Sequence, residues 1–210
     1  KSIIVRILGG NSKNVVEKIQ RRYPEMYEGV TLTEALYDEL SGDFRRAVLS
    51  FLYTSNAEMQ CPDLTPAMPN ESPATEATRL AVDLTRLQDY VAHIDARNIH
   101  QACVGWGTDD KALIGTLTRR TKEQLAKLNA AYVHRYSITL ISQIKDETIK
   151  LPFISNHYRE FLINIVSDRG KIDAIALRQA IEGFGTDDSL LIEICTTRTN
   201  AELKAAKAMY

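Results

Sequence analysis

Gly105-Trp106-Gly107-Thr108-Asp109-Asp110 is spelled again, with one ring exchanged for another, as Gly183-Phe184-Gly185-Thr186-Asp187-Asp188. The flanks repeat as well. Ahead of the first copy, residues 95–104 place Ala96, Ile99, Ala102 and Cys103 on one stripe; ahead of the second, residues 173–182 place Ala174, Leu177, Ala180 and Ile181 at the matching positions. Both have the spacing of an amphipathic helix. Each is expected to start at its aspartate, Asp95 or Asp173, and to stop at a glycine. A second helix is expected behind each loop, with Thr108 and Thr186 as N-caps and the Asp pairs as first-turn charges that suit the helix dipole. Its buried face reads Ala112, Leu113, Ile114 and Leu117 in one copy and Leu190, Leu191, Ile194 and Cys195 in the other. A glycine loop between two helices, present twice, points to several equivalent ion sites on one surface and away from a single catalytic pocket.

Working outward, helical periodicity continues over 122–136, 137–147 and 156–167, which makes five helices in the middle unit, and over 200–210 in the last. The N-terminal stretch enters the same scheme late. Lys1-Ser2-Ile3-Ile4 aligns with Lys111-Ala112-Leu113-Ile114, and helices follow over 14–23, 33–40 and 44–53. The expected organisation is a partial unit at 1–53, a proline-rich linker at 54–75 with Pro62, Pro66, Pro69 and Pro73, a complete unit with a lead-in helix at 76–170, and a partial unit at 171–210. The first unit lacks its first helix and glycine loop, and the last stops inside its third helix, so a piece of a longer protein is expected. No strand or hairpin turn signal is found, and the expected class is all-α.

The bulk properties narrow the function. The chain has 210 residues, 26 basic against 27 acidic side chains and a net charge of −1. That balance gives no basic patch of the kind nucleic-acid binding requires. No apolar run is long enough to span a bilayer, and the start lacks the cleavage signal of a secretory leader. Cys61, Cys103 and Cys195 form no CxxC pair and read as reduced thiols, two of them buried in helices. The four histidines lack zinc-site spacing. No nucleophile, base and orienting group assemble at recognisable spacing, so no enzyme is expected. The Gly-x-Gly-Thr stretch also lacks the lysine and preceding strand of a phosphate-binding loop.

The two glycine loops in register, with Arg120 and Arg198 a dozen residues on and the string Glu39-Leu40-Ser41-Gly42-Asp43-Phe44, resemble the annexin family over nearly the whole chain except the linker. The resemblance implies five-helix repeats in a curved helical array, and calcium-dependent binding to anionic phospholipid. It also implies an acidic residue closing the fourth helix beside the loop: Glu39 in the first unit and Glu147 in the middle one. There are departures. Gly10 stands where the family arginine would be, and Glu147 is followed by Thr148-Ile149-Lys150-Leu151-Pro152-Phe153 in place of a Ser-Gly-Asp-Phe string. Arg120 and Arg198 read as buried structural cations paired with an acid or with helix-end carbonyls.

Calcium takes six to eight oxygen ligands. A helix end offers unpaired carbonyls at the negative pole of its dipole, and glycine lets the chain fold back on them. The expected ligands are the carbonyls of Cys103, Gly105 and Gly107 with the Glu147 carboxylate, the carbonyls of Ile181, Gly183 and Gly185 in the second loop, and Glu39. Open coordination positions would take water or a lipid phosphate, and several weak sites on one face would add through multivalency. Trp106 and Phe184, at the loop tips, are membrane-contact candidates, with packing against neighbouring helices as the alternative. The expected setting is the cytoplasm, peripheral at membranes, with oligomerisation on the membrane and cytoskeletal or protein partners as further expectations. The rival reading is a calcium-independent, annexin-like cytoskeletal or protein-interaction scaffold; the altered segment after Glu147 favours it, and the intact glycine loops and Glu39 oppose it.

Overall fold

The structure is a computed structural model that describes residues 1–54, 73–105, 107–147, 157–182 and 185–210, with the backbone alone for 73–84 and 86. Among these residues every regular element is helical. Helix α1 (Ser2–Ile4) runs on as a π-helical stretch, Val5–Gly9; then come α2 (Lys13–Met26), α3 (Leu32–Glu39) and α4 (Gly42–Tyr53). The middle segment holds α5 (Pro73–Cys103), α6 (Asp110–Leu117), α7 (Lys122–Tyr136), α8 (Leu140–Glu147) and α9 (His157–Val166). The last holds α10 (Arg169–Ile181), α11 (Asp188–Thr197) and α12 (Asn200–Met209). The five-helix pattern of the middle segment is therefore as expected.

Two starts differ from expectation. Helix α5 does not begin at Asp95 but runs unbroken from Pro73, so 73–75 belong to the helix and not to the linker; the rest of the expected linker, apart from Thr54, lies outside the described residues. Proline suits a first helical position, because its missing N–H has no intrahelical role there. No breaker separates His93 from Asp95, so nothing stops the helix between them. Helix α10 starts four residues before Asp173, at Arg169, and is capped by Asp168, whose carboxylate accepts from the Gly170 N–H at 2.8 Å. Asp95 and Asp173 are interior helical residues, and arginines claim them instead.

Those arginines are the two expected structural cations. Arg120 donates from Nε (2.6 Å) and Nη2 (3.0 Å) to the Asp95 carboxylate. Arg198 does the same to Asp173, at 2.8 and 3.1 Å. Each fork ties the helix before a glycine loop to the residue just ahead of the next capped helix, in a geometry that matches planar guanidinium to planar carboxylate. Where the first segment has Gly10, a Cβ would stand 3.5 Å from the Arg169 guanidinium, which reaches Asp173. The space of the missing arginine is thus bordered by one from the C-terminal segment.

The first and middle segments share a core. Phe44 and Phe51 of α4 both meet Phe161 of α9 edge-on, with centroids 5.9 Å apart, an arrangement that suits the ring quadrupoles. Leu113, Ile114 and Leu117 of α6 are buried, covered by α4, α5 and α9, whereas Ala112 is exposed. In the matching α11 only Ile194 is buried and Cys195 is exposed, contrary to expectation. The cause is coverage: α11 packs on α10 without the counterparts of α4 and α9. Arg6 of the π-helical stretch forks onto Glu193 of α11 and joins the two ends of the described chain.

Lysines close the helix ends. Lys122, at the start of α7, donates through Nζ to the carbonyls of Gly9 (3.0 Å), Ile165 (2.8 Å), Ser167 (3.1 Å) and Asn164. Lys13, at the start of α2, donates likewise to Phe51 and Leu52. Carbonyls at a helix C-terminus lack intrahelical partners, so a buried amine satisfies several at once.

Candidate functional site

Helix α5 ends at the buried Cys103, and the chain turns back through Gly105 (φ +114°) and Gly107 (φ +93°). Both angles lie where only glycine is free of strain, which is why the turn is spelled with glycine. The reversal lets the Asp109 N–H donate to the Ala102 carbonyl at 2.8 Å, across the last turn of α5. The N-cap of α6 is Asp109 and not Thr108: its carboxylate accepts from the Ala112 N–H at 3.0 Å.

The Thr108 hydroxyl is used elsewhere. It donates to Glu147 Oε2 at 3.0 Å, and the Gln143 amide, one turn earlier on α8, donates to the other carboxylate oxygen at 3.2 Å. The loop and the acid that closes α8 are therefore in direct contact across 39 positions of sequence. Next to them the Tyr158 hydroxyl, from α9, donates to Asp110 Oδ1 at 2.9 Å.

Where the second loop is described, it repeats the flanking hydrogen bond, the positive φ and the aspartate cap, but its threonine has a different acceptor. The Asp187 N–H donates to the Ala180 carbonyl at 2.8 Å, Gly185 has φ +91°, and Asp187 caps α11 through the Leu190 N–H at 3.0 Å. Thr186, expected as the N-cap, donates instead to Asp188 Oδ1 at 2.6 Å. Ile181, the last residue of α10, is exposed. Gly183, Phe184 and Trp106 lie outside the described residues. Glu39 is the exposed last residue of α3, in a segment whose sequence has no glycine loop of this type.

Of the expected site residues, the structure thus brings Gly105, Gly107 and Glu147 into one neighbourhood, at the end of the helix that Cys103 closes. Sequence reading did not single out Thr108 as a partner of the acid, nor Gln143 or Tyr158. Only Gln143 left a signal, its position four residues before Glu147 on one helix face.

Electrostatics around the loop are set by burial. Desolvation raises the Asp110 carboxyl above the usual aspartate value; the Tyr158 hydrogen bond opposes that shift, and neighbouring Asp43 adds to it. Burial, then the Asp110 charge, pushes the Tyr158 phenol up, so it stays a donor. Burial likewise raises the Tyr132 phenol, which also feels Cys103 and Glu147. Among the described residues no group of three or more His, Cys, Asp or Glu side chains could hold a metal. The donors at this loop are instead one carboxylate, a helix end and a glycine turn, a set of oxygen atoms that fits a hard cation and not a thiolate- or imidazole-seeking one.

The annexin family model matches residues 94–165 and 172–210, together more than half of the chain. Annexin A6 of Rattus norvegicus is 26% identical over 211 residues, which cover 99% of this chain and 30% of that protein. Annexin A13 of Canis lupus familiaris is 33% identical over 116 residues, 55% of this chain and 35% of that protein. Among solved structures, a mutant of annexin A8 with an intact N-terminus superposes with a TM-score of 0.73 at 20% identity, covering 100% of this chain and 58% of that one. Calcium-bound annexin (Sm)1 does so with a TM-score of 0.71 at 19% identity, covering 100% and 56%. The chain spans about a third of the length of the curated relatives it matches.

Proposed function

The chain belongs to the annexin family, a non-enzymatic family that typically binds phospholipid in a calcium-dependent way, and on that footing we propose that it does so itself, at anionic membranes. The observation that supports this reading is the Thr108–Glu147 hydrogen bond, which joins the glycine loop to the acid expected to complete it. In this reading the carbonyls of Cys103, Gly105 and Gly107 and the Glu147 carboxylate hold calcium, and a lipid phosphate oxygen fills a remaining position. The second loop offers the carbonyls of Ile181, Gly183 and Gly185, and Glu39 is the first unit's acid of the same kind as Glu147. Trp106 and Phe184 enter the interface from the loop tips.

A site with one carboxylate is weak in solution, and a membrane that presents many phosphates raises its effective strength. The near-neutral chain has little attraction of its own for an anionic leaflet, so calcium is the bridge. No described helix is long and apolar enough to cross a membrane, in keeping with a peripheral role. The proposed setting is cytoplasmic, with protein partners and assembly on the membrane as extensions of the same reading.

The experiment is cosedimentation with phosphatidylserine vesicles in calcium and in chelator, for the protein and for Glu147→Gln. The reading expects pelleting in calcium alone, and weaker pelleting of a folded Glu147→Gln variant. Equal pelleting in both conditions would point to a calcium-independent scaffold.

A further inference from the structure

The histidines are spread through the sequence, and packing brings two of them together. His93 of α5 and His134 of α7 meet edge to face, with ring centroids 6.4 Å apart and planes at 79°. Both residues are exposed. They line a groove of about 320 Å³ between the two helices, together with the buried Ala92 and Ala131, whose small side chains leave room above them. Asp89, one turn before His93 on α5, lies in the same groove and accepts from Lys127 Nζ at 2.9 Å, so acid and base there offset each other. The other two rings have local engagements: His100 stacks on Tyr136 at 3.9 Å, and His157 faces Glu160 Oε2 at 3.4 Å.

From this juxtaposition we propose a second kind of metal site, separate from the glycine loop, in which His93 and His134 each give one ring nitrogen to a borderline divalent ion of the zinc class. Neutral imidazole suits such ions and is a poor ligand for a hard, oxygen-seeking cation, so the two sites select different metals. Nitrogen ligands lie about 2.0–2.1 Å from zinc, and two imidazoles at tetrahedral angles about one ion put their centroids about 5 Å apart. Rotation of the two exposed side chains covers the difference from the observed 6.4 Å. No third His, Cys, Asp or Glu ligand joins the pair among the described residues, so water fills the remaining positions and the ion is exchangeable. Bound there, it ties the helix that leads into the middle glycine loop to α7, the helix on which α5 packs most heavily.

The probe is zinc, titrated by competition with a chromophoric chelator in excess calcium, which occupies oxygen sites without displacing imidazole ligands. The titration compares the protein with His93→Gln, His134→Gln and the double variant, each checked for an unchanged melting profile in chelator. The parent is expected to bind one zinc ion at this groove. Either single variant should bind it about 100-fold more weakly, because a two-point attachment becomes a single one. The double variant should be little weaker than either single, the non-additivity expected of two groups that hold one ion. His157→Gln, Cys195→Ser and Glu147→Gln should keep the parental affinity, since none of them lies in the groove. Zinc should also raise the melting temperature of the parent and leave that of the double variant unchanged, as for a ligand that binds the folded state alone. In nuclear magnetic resonance spectra the His93 and His134 ring signals should shift together over one titration curve. Parental affinity in either histidine variant would overturn the proposal, as would two independent weak sites that disappear one with each histidine. A loss of the ion in Cys195→Ser or Glu147→Gln, with the histidine variants unaffected, would place zinc elsewhere and overturn it too.

Discussion

Asp173 receives two arginines, Arg198 through a two-pronged fork and Arg169 at 3.1 Å from the preceding turn of its own helix, and its side chain is 1% exposed. Its counterpart Asp95 receives one fork, from Arg120, whose side chain is 26% exposed. The same contact therefore occurs at two depths. A buried pair broken from one side leaves an uncompensated charge, which costs far more than a surface pair is worth.

Asp173→Ala is accordingly expected to destabilise the protein by about 3 kcal/mol or more, by stranding Arg198. Asp95→Ala should cost less, because water reaches Arg120. Urea unfolding midpoints of the two variants check the order; a larger loss for Asp95→Ala would contradict it.

Lys122 supplies a pH dependence. Burial lowers its ammonium from 10.5 to about 7, with the nearby Arg169 charge adding to the shift. Between those values the unfolded chain holds a proton that the folded chain has shed, so raising the pH favours the folded state. The contribution is fully present above 10.5 and is lost as pH falls to about 7. From pH 7 to 9 the protein should gain on the order of 2 kcal/mol relative to Lys122→Met, which has no such proton. That variant should also be less stable overall, because the carbonyls at the end of α9 lose their donor. Parallel urea titrations of both proteins across this range test the slope.

Asp110 has the opposite sign. Its folded carboxyl is raised, so from about 3.8 up to the folded value the folded state keeps a proton that the unfolded chain releases, and this group's contribution declines as pH rises. Tyr158→Phe deletes the hydrogen bond that opposes the shift. The Asp110 carboxyl should then titrate at still higher pH, as read from its carbon-13 side-chain resonance; a downward move would refute the assignment.

The matching helices α7 and α12 both start with a capping box, Thr121 with Gln124 and Thr199 with Glu202. Only the second contains a titratable group, and its hydrogen bonds to Thr199 hold the Glu202 carboxyl below the usual glutamate value. Stability from that cap is present above the unfolded value and lost as pH falls through the folded one. Amide exchange at the start of α12 should therefore accelerate in acid, relative to neutral pH and after correction for intrinsic rates, while the start of α7 keeps its protection.

Much of the fold was legible in the chain because it repeats. The stripe Ala96, Ile99, Ala102 and Cys103 is buried as its spacing required, and α7 has the bounds read from periodicity. Errors fell at helix starts and on the last unit. Asp95 and Asp173 had the chemistry of N-caps, but a capping aspartate and a salt-bridging one look alike until the arginine beside it is known. Thr108 and Thr186 were misread for a related reason, since an aspartate follows each and reaches the same N–H groups. Cys195 sat on an apolar stripe whose cover depends on neighbouring helices, which a local pattern does not report.

The sequence by itself determined the helices, the glycine turns and their duplication, because backbone propensity, apolar period and positive φ act over a few residues. Only the tertiary structure decided that Thr108 meets Glu147 while Thr186 meets Asp188. The Thr108–Glu147 contact joins a loop to the end of a helix 39 positions on, and pairing of groups so distant in sequence is settled by packing, at separations of a few ångströms that no local pattern encodes.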